Sequence, residues 1–212
     1  ISRKHQTVRG PHMHTITYGI DLAKNVSDYF PWFVVTFQGK ETPVTIKQLL
    51  HHTSGIPWET LSLIPEDRSE KALKNTVDKI NGIELSTAPG TSYEYATINY
   101  DILGLLIEKV SKMPYDVYVE NEVLFPLELK DTYVGSDEVK DRMSIGNKIS
   151  FFKARPYEAP TYKGNEPAGY IVSDIDDMTK WLQYQMGIQN NQFQDIITKS
   201  LTLDAFTATQ AA

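Results

Sequence analysis

Apolar residues recur at helical spacing in several stretches of this chain. Leu73, Val77 and Ile80 share one face of a segment from about Asp67 to Asn81, with Gly82 as a natural C-terminal stop. Ile98, Ile102, Leu105, Leu106 and Val110 make the stripe of another helix, and Ile102 to Ile107 is the longest core-like run. Val44 to His52 reads as a shorter helix, ended by the Thr53-Ser54-Gly55 turn with Pro57 just beyond. Pro114 opens a fourth helix that passes through Val119 and Val123 and halts near Pro126. Ser173 followed three residues later by Asp176 forms a capping-box pattern for a fifth. That helix is expected to turn Met178, Trp181 and Leu182 inward and to stop at Gly187. Strand signals are confined to Thr132–Gly135 and Lys148–Lys153, so the pattern predicts a mostly helical body with little sheet.

The ends read differently from the middle. Arg3, Lys4, His5, Arg9 and His12 crowd a stretch broken by Gly10-Pro11, and Gly10-Pro11-His12-Met13 resembles a cloning scar, so residues 1–13 read as a non-native leader. Residues 201–212 are rich in Ala and Thr without periodicity and read as a frayed or foreign tail. Residues 14–200 show no internal repeat and are expected to form one compact unit.

Composition narrows the function. A net charge of −6 and a pI near 5.4 oppose a phosphate-binding surface, so no nucleic-acid partner is expected. No apolar run approaches the ~20 residues that would span a bilayer. The absence of cysteine rules out disulfides and thiol nucleophiles. All five histidines lie at or before His52, and adjacent His51 and His52 would point about 100° apart on a helix, which suits joint metal ligation badly. No metal and no cofactor are expected. Trp32, Phe33 and Trp181 read as core anchors.

The chemistry centres on Pro89 to Gly104. Pro89-Gly90 makes a turn, and Thr97 is placed to cap the helix that begins near Ile98. Tyr95 then sits in irregular chain just before a helix N-terminus, whose positive end favours a phenolate. A free tyrosine titrates near ~10, so a catalytic role needs a cation beside it. The alternative is that Tyr95, one of 12 tyrosines, simply packs its ring on the adjoining helix.

Five segments, in order from about Gly19 to Gly187, resemble the serine hydrolases of the penicillin-binding and class C β-lactamase type. Asp21 to Phe33 is similar to the segment ending in Tyr-x-Pro-Trp-Phe. Thr45 to Pro57, with its Leu-Leu-His-His-Thr-Ser-Gly, resembles the stretch after the nucleophile helix. Pro89-Gly90, Tyr95, Asn99-Tyr100 and Leu103-Gly104 resemble the Tyr-x-Asn region, Phe125 to Thr132 the Pro-Leu-Gly-Met stretch, and Pro167-Ala168-Gly169 the turn before a helix.

The resemblance implies an α+β fold of β-lactamase/transpeptidase type, represented here mainly by its helical domain with a partial antiparallel sheet. It also implies acyl transfer through a serine ester on a D-amino-acid peptide, a β-lactam or a small ester. Tyr95 takes the catalytic tyrosine's place, and Thr97 takes that of the substrate-binding asparagine, keeping a hydroxyl but losing the amide. The implied partner is a small-molecule or peptidoglycan-like substrate, and the implied location extracytoplasmic. Self-association, or a partner covering missing strands, is expected.

The sequence departs from this family where the nucleophile should be. Ser2 lies in about the right place, but Lys4 and His5 follow it in the wrong register. The one Ser-x-x-Lys, Ser150 to Lys153, is in strand-like sequence downstream of Tyr95, and no Lys-Thr-Gly follows Gly187. Ser54 fits turn chemistry better than nucleophilicity. The 212-residue chain is therefore expected to be inactive or nearly so. A non-catalytic cell-wall or peptide-binding module on the same fold is the alternative.

Overall fold

The computed structural model describes residues 20–135, 139–157, 160–189 and 192–200. The leader, Ser2 and the 201–212 tail lie outside the described residues. The chain runs through α1 (Val26–Tyr29), the hairpin β1–β2 (Thr36–Phe37, Lys40–Glu41), α2 (Ile46–Leu50), α3 (Ala72–Lys79) and α4 (Ile98–Ser111). Next comes α5 (Tyr115–Val119), which continues as a π-helical turn over Glu120–Leu124. Then follow β3 (Tyr133–Val134), the hairpin β4–β5 (Asn147–Ser150, Lys153–Pro156), α6 (Glu166–Gly169), β6 (Ile171–Val172), α7 (Ile175–Gln185) and α8 (Gln194–Ser200). Among the described residues the strands form three separate two-stranded antiparallel ladders, β1–β2, β3–β6 and β4–β5. No helix among them is long and apolar enough to cross a membrane.

The apolar stripes meet where their spacing places them. Leu73, Val77 and Ile80 of the α3 region and Ile98, Ile102, Leu105 and Leu106 of α4 are all buried. They close one core with Leu49 of α2, Ile56, Val26, Phe30 and Phe33, and Trp32 packs half-buried against its edge. A smaller cluster joins Val119, Leu124, Leu127 and Leu129 to Tyr184 and Ile197, with Trp181 half-buried beside it. The segment before α6 touches α3 backbone to backbone. A Cβ on Gly164 would lie 2.1 Å from Thr76 Oγ1 and 2.6 Å from the Ala72 carbonyl, so only glycine fits there.

Four expectations need correction. The helix expected from Asp67 starts at Ala72, because the Asp67 carboxylate accepts from the Ser69 N–H and the Asn75 amide, a local turn that competes with helix. Thr97 does not cap α4: its backbone is already helical (φ −52°, ψ −41°) and its side chain makes no capping bond. At α7 the capping residue is Asp174, which accepts from the Asp177 N–H at 2.8 Å, while Ser173 Oγ pairs with Thr132 Oγ1. Met178 and Leu182 face outward, 42% and 55% exposed. A polar anchor sets that rotation, since buried Asp177 accepts from the Asp131 N–H at 2.7 Å and the Thr132 hydroxyl at 3.0 Å. The short strands β1, β2 and β6 carry no alternation that a sequence pattern could reveal.

Candidate active site

Three backbone bonds hold the Tyr95 segment against the Thr53-Ser54-Gly55 turn. Gly90 N–H donates to the Thr53 carbonyl, Glu94 N–H to that of His52, and Ser86 N–H to that of Gly55, at 2.7, 2.8 and 2.9 Å. Gly55 has φ +78°, and a Cβ there would meet the Thr87 carbonyl at 2.1 Å. His52 also lies in the left-handed region, at φ +53°, which is uncommon for a residue with a side chain. That backbone turn accompanies a ring placed under the loop.

His52 Nδ1 accepts from the Ala96 N–H at 3.3 Å and from the Asn99 side-chain amide at 3.1 Å. Two N–H groups pointing at Nδ1 leave the ring proton on Nε2, so the imidazole is neutral. Burial holds it below the usual histidine range. Asn99 is fully buried, and its carbonyl oxygen accepts from the equally buried Ser54 hydroxyl at 2.8 Å. Ser54 Oγ in turn accepts the Ile56 N–H, so this serine is a structural link without access to substrate.

Three tyrosines surround the His52 ring. Tyr95 lies 4.6 Å away between centroids, Tyr100 5.3 Å and Tyr93 5.9 Å. Tyr100 donates to the Leu50 carbonyl, and burial, with Tyr95 and Tyr93 nearby, pushes its phenol up. Tyr95 is 50% exposed, and its hydroxyl has no hydrogen-bond partner among the described residues. Tyr95 thus lies in irregular chain just before α4, with its ring packed on His52. Thr97 is half-buried two residues on, and its carbonyl accepts the Tyr100 N–H.

Other candidates fall elsewhere. Ser150 and Lys153 face each other at the end of β4–β5, in strand rather than at a helix start. On α4, Asp101 is fully buried, and burial pushes its carboxyl up to about 8. The Asn165 amide, oriented toward it, donates to both carboxylate oxygens at 2.8 and 3.2 Å. A cleft of about 630 Å³ lined by Glu108, Tyr115, Lys163 and Glu166 does not include Tyr95. His52 is the site residue that spacing analysis missed. Its contacts reach 44 and 47 residues along the chain, and only its place beside Thr53-Ser54-Gly55 hinted at a role.

A helical core with a clamped tyrosine at the mouth of α4 is the helical portion of a β-lactamase/transpeptidase-like fold. The sequence pattern of the Beta-lactamase family matches residues 13–210, and the chain belongs to that family. It is 30% identical over 168 residues to Protein flp of Staphylococcus aureus (strain MW2), a match covering 79% of this chain and 34% of that protein. An N-acetylmuramyl-L-alanine amidase of Bacillus subtilis (strain 168) is 32% identical over 120 residues, covering 53% of this chain and 27% of the amidase. The chain thus spans about a third of the length of these curated relatives. Among solved structures, an octameric penicillin-binding protein homologue from Pyrococcus abyssi superposes with TM-score 0.70 at 24% identity, covering 86% of this chain and 43% of that one. A class C beta lactamase superposes with TM-score 0.66 at 22% identity, covering 84% and 47%. At those identities the likeness shows the fold.

Proposed function

We propose that this chain carries the helical part of a serine hydrolase that acts by acyl transfer on an amide or ester. In that chemistry a serine hydroxyl adds to the substrate carbonyl, the amine or alcohol leaves with a proton, and water then hydrolyses the serine ester. Tyr95 is the residue assigned to move the proton between the serine and the leaving group, with a lysine as its neighbour. Thr97 is assigned to substrate contact. The observation that supports this reading is the Tyr95 geometry: a ring held on His52, half exposed, with no hydrogen-bond partner for its hydroxyl among the described residues. The names of similar proteins, an N-acetylmuramyl-L-alanine amidase and D-amino acid amidase among them, favour a peptide-like amide substrate and an extracytoplasmic location.

Within residues 1–212 no Ser-x-x-Lys stands upstream of Tyr95, so we assign this chain little or no activity by itself. Thr97 in place of asparagine favours a second reading, a non-catalytic cell-wall or peptide-binding module. A fluorescent penicillin and a fluorophosphonate separate these readings. On the 212-residue chain neither should label stoichiometrically, and labelling lost on Ser2→Ala or Ser150→Ala would refute the assignment of inactivity. On the product of the parent reading frame the penicillin should acylate, and the fluorophosphonate phosphonylate with loss of fluoride, a serine upstream of Tyr95. There Tyr95→Phe should slow labelling by at least ~100-fold. An unchanged rate would remove Tyr95 from the mechanism.

A further inference from the structure

We propose that the β4–β5 hairpin is a docking element for an anionic lipid bilayer, a role independent of the hydrolase chemistry. Its tip is Phe151-Phe152, 89% and 102% exposed, and Ile149 on the adjoining strand is 84% exposed. Both phenylalanines occupy the left-handed region, at φ 48° and 62°. Two-residue turns of this kind ordinarily use Asn-Gly, because bulky side chains are strained there. The chain thus accepts unfavourable backbone and unfavourable hydration at the same two residues.

Charge is segregated around that tip. Cross-strand pairing sets Lys148 opposite Arg155 and Ser150 opposite Lys153, so those four share one face, while Ile149 and Ala154 share the other. Between Arg142 and Tyr157 there is no acidic residue, although the chain as a whole carries −6. Like charges directly opposite on a ladder repel one another. Lys148 Nζ lies 4.6 Å from the Tyr157 ring centroid, and among the described residues Arg155 has no such contact. An external anionic surface removes that repulsion.

Geometry selects a bilayer over another protein. At about 3.4 Å per residue, the Lys148–Arg155 pair sits roughly 7–10 Å behind the tip. Amphipathic elements bury their apolar side about 5–10 Å into the headgroup boundary, which would bring this pair level with lipid phosphates. A two-stranded ladder of four residues per strand offers a face only about 13 Å long. Two strands about 4.8 Å apart make that face on the order of 130 Å², far less than the ~800 Å² per partner of a stable protein interface.

The test is co-sedimentation of the 212-residue chain with phosphatidylcholine vesicles, with and without one-third phosphatidylglycerol. Binding is expected only to the anionic vesicles and should disappear in high salt. It should weaken at least about tenfold in Phe151→Ser/Phe152→Ser. Each of Lys148→Ala, Lys153→Ala and Arg155→Ala should weaken it about fivefold. The chain has no cysteine, so Phe152→Cys carries a single environment-sensitive fluorophore that should shift to the blue on the anionic vesicles alone. No binding, equal binding to neutral vesicles, or indifference to both phenylalanines would overturn the proposal. So would a concentration-dependent dimer that the Phe substitutions abolish without any vesicle binding.

Discussion

Replacing Asp101 by asparagine should remove a large part of the pH dependence of stability between about pH 4 and 8. The carboxyl is fully buried on α4, and burial pushes it from the ordinary 3.8 up to about 8. Such a group binds its proton more tightly folded than unfolded. Its contribution is therefore whole below about pH 3.8 and is lost as the pH climbs toward 8. At 1.36 kcal/mol per unit the shift corresponds to at most about 6 kcal/mol. The Asn165 amide opposes this by donating to the ionised form, and hydrogen bonds to a charge contribute about 1.5–3 kcal/mol. A net loss of about 3 kcal/mol remains, a large share of a stability of roughly 5–15 kcal/mol.

Urea unfolding followed by tryptophan fluorescence at several pH values measures this directly. Asp101→Asn keeps the side chain's size and can still pair with Asn165. It should match the parent near pH 4 and exceed it by about 3 kcal/mol at pH 8.5. Glu108, also pushed up by burial, and His52, held down by burial, tilt both proteins alike and cancel in the difference. Parallel stability curves, or a variant weaker than the parent at pH 8.5, would refute the reasoning.

Two further substitutions test close contacts. His52→Ala leaves the Ala96 N–H and the Asn99 amide without their acceptor; it should cost about 2–3 kcal/mol and speed hydrogen exchange at Ala96. In the parent, because His52 is held neutral, stability should fall as the pH drops below about 6.5, and a flat acid limb in His52→Ala relative to the parent checks the sign. Gly164→Ala drives a methyl against the Ala72 carbonyl and Thr76 Oγ1 and should lower stability by at least about 2 kcal/mol in the same urea assay.

What the sequence revealed was the apolar part of the fold. Leu73, Val77 and Ile80 and the Ile98–Leu106 stripe are buried where their period puts them, because the hydrophobic effect answers to spacing alone. Gly187 follows the α7 C-cap Met186 with positive φ, as its chemistry suggests, whereas α3 already ends at Lys79, short of Gly82. What escaped was settled by polar partners distant in sequence. Asp177, buried by bonds to Asp131 and Thr132, rotates α7 so that Met178 and Leu182 face out against their hydropathy. The same blindness hid His52, whose role depends on a loop that arrives more than forty residues later.

That distinction bears on why the candidate site is built as it is. Apolar packing would fix α4 in the core, yet would leave the chain before Ile98 free to choose among several courses. The Ser54–Asn99–His52 relay removes that freedom, since each buried group must find the one partner that satisfies it. An apolar replacement of matched shape can be neutral for stability, because only a lone unsatisfied partner is expensive. Its loss would be felt instead in where the Tyr95 ring rests, because the same His52 that closes the relay is the surface on which that ring lies. The buried relay is best understood as a device for holding an exposed phenol in one place, at the end of a helix that the hydrophobic core already holds.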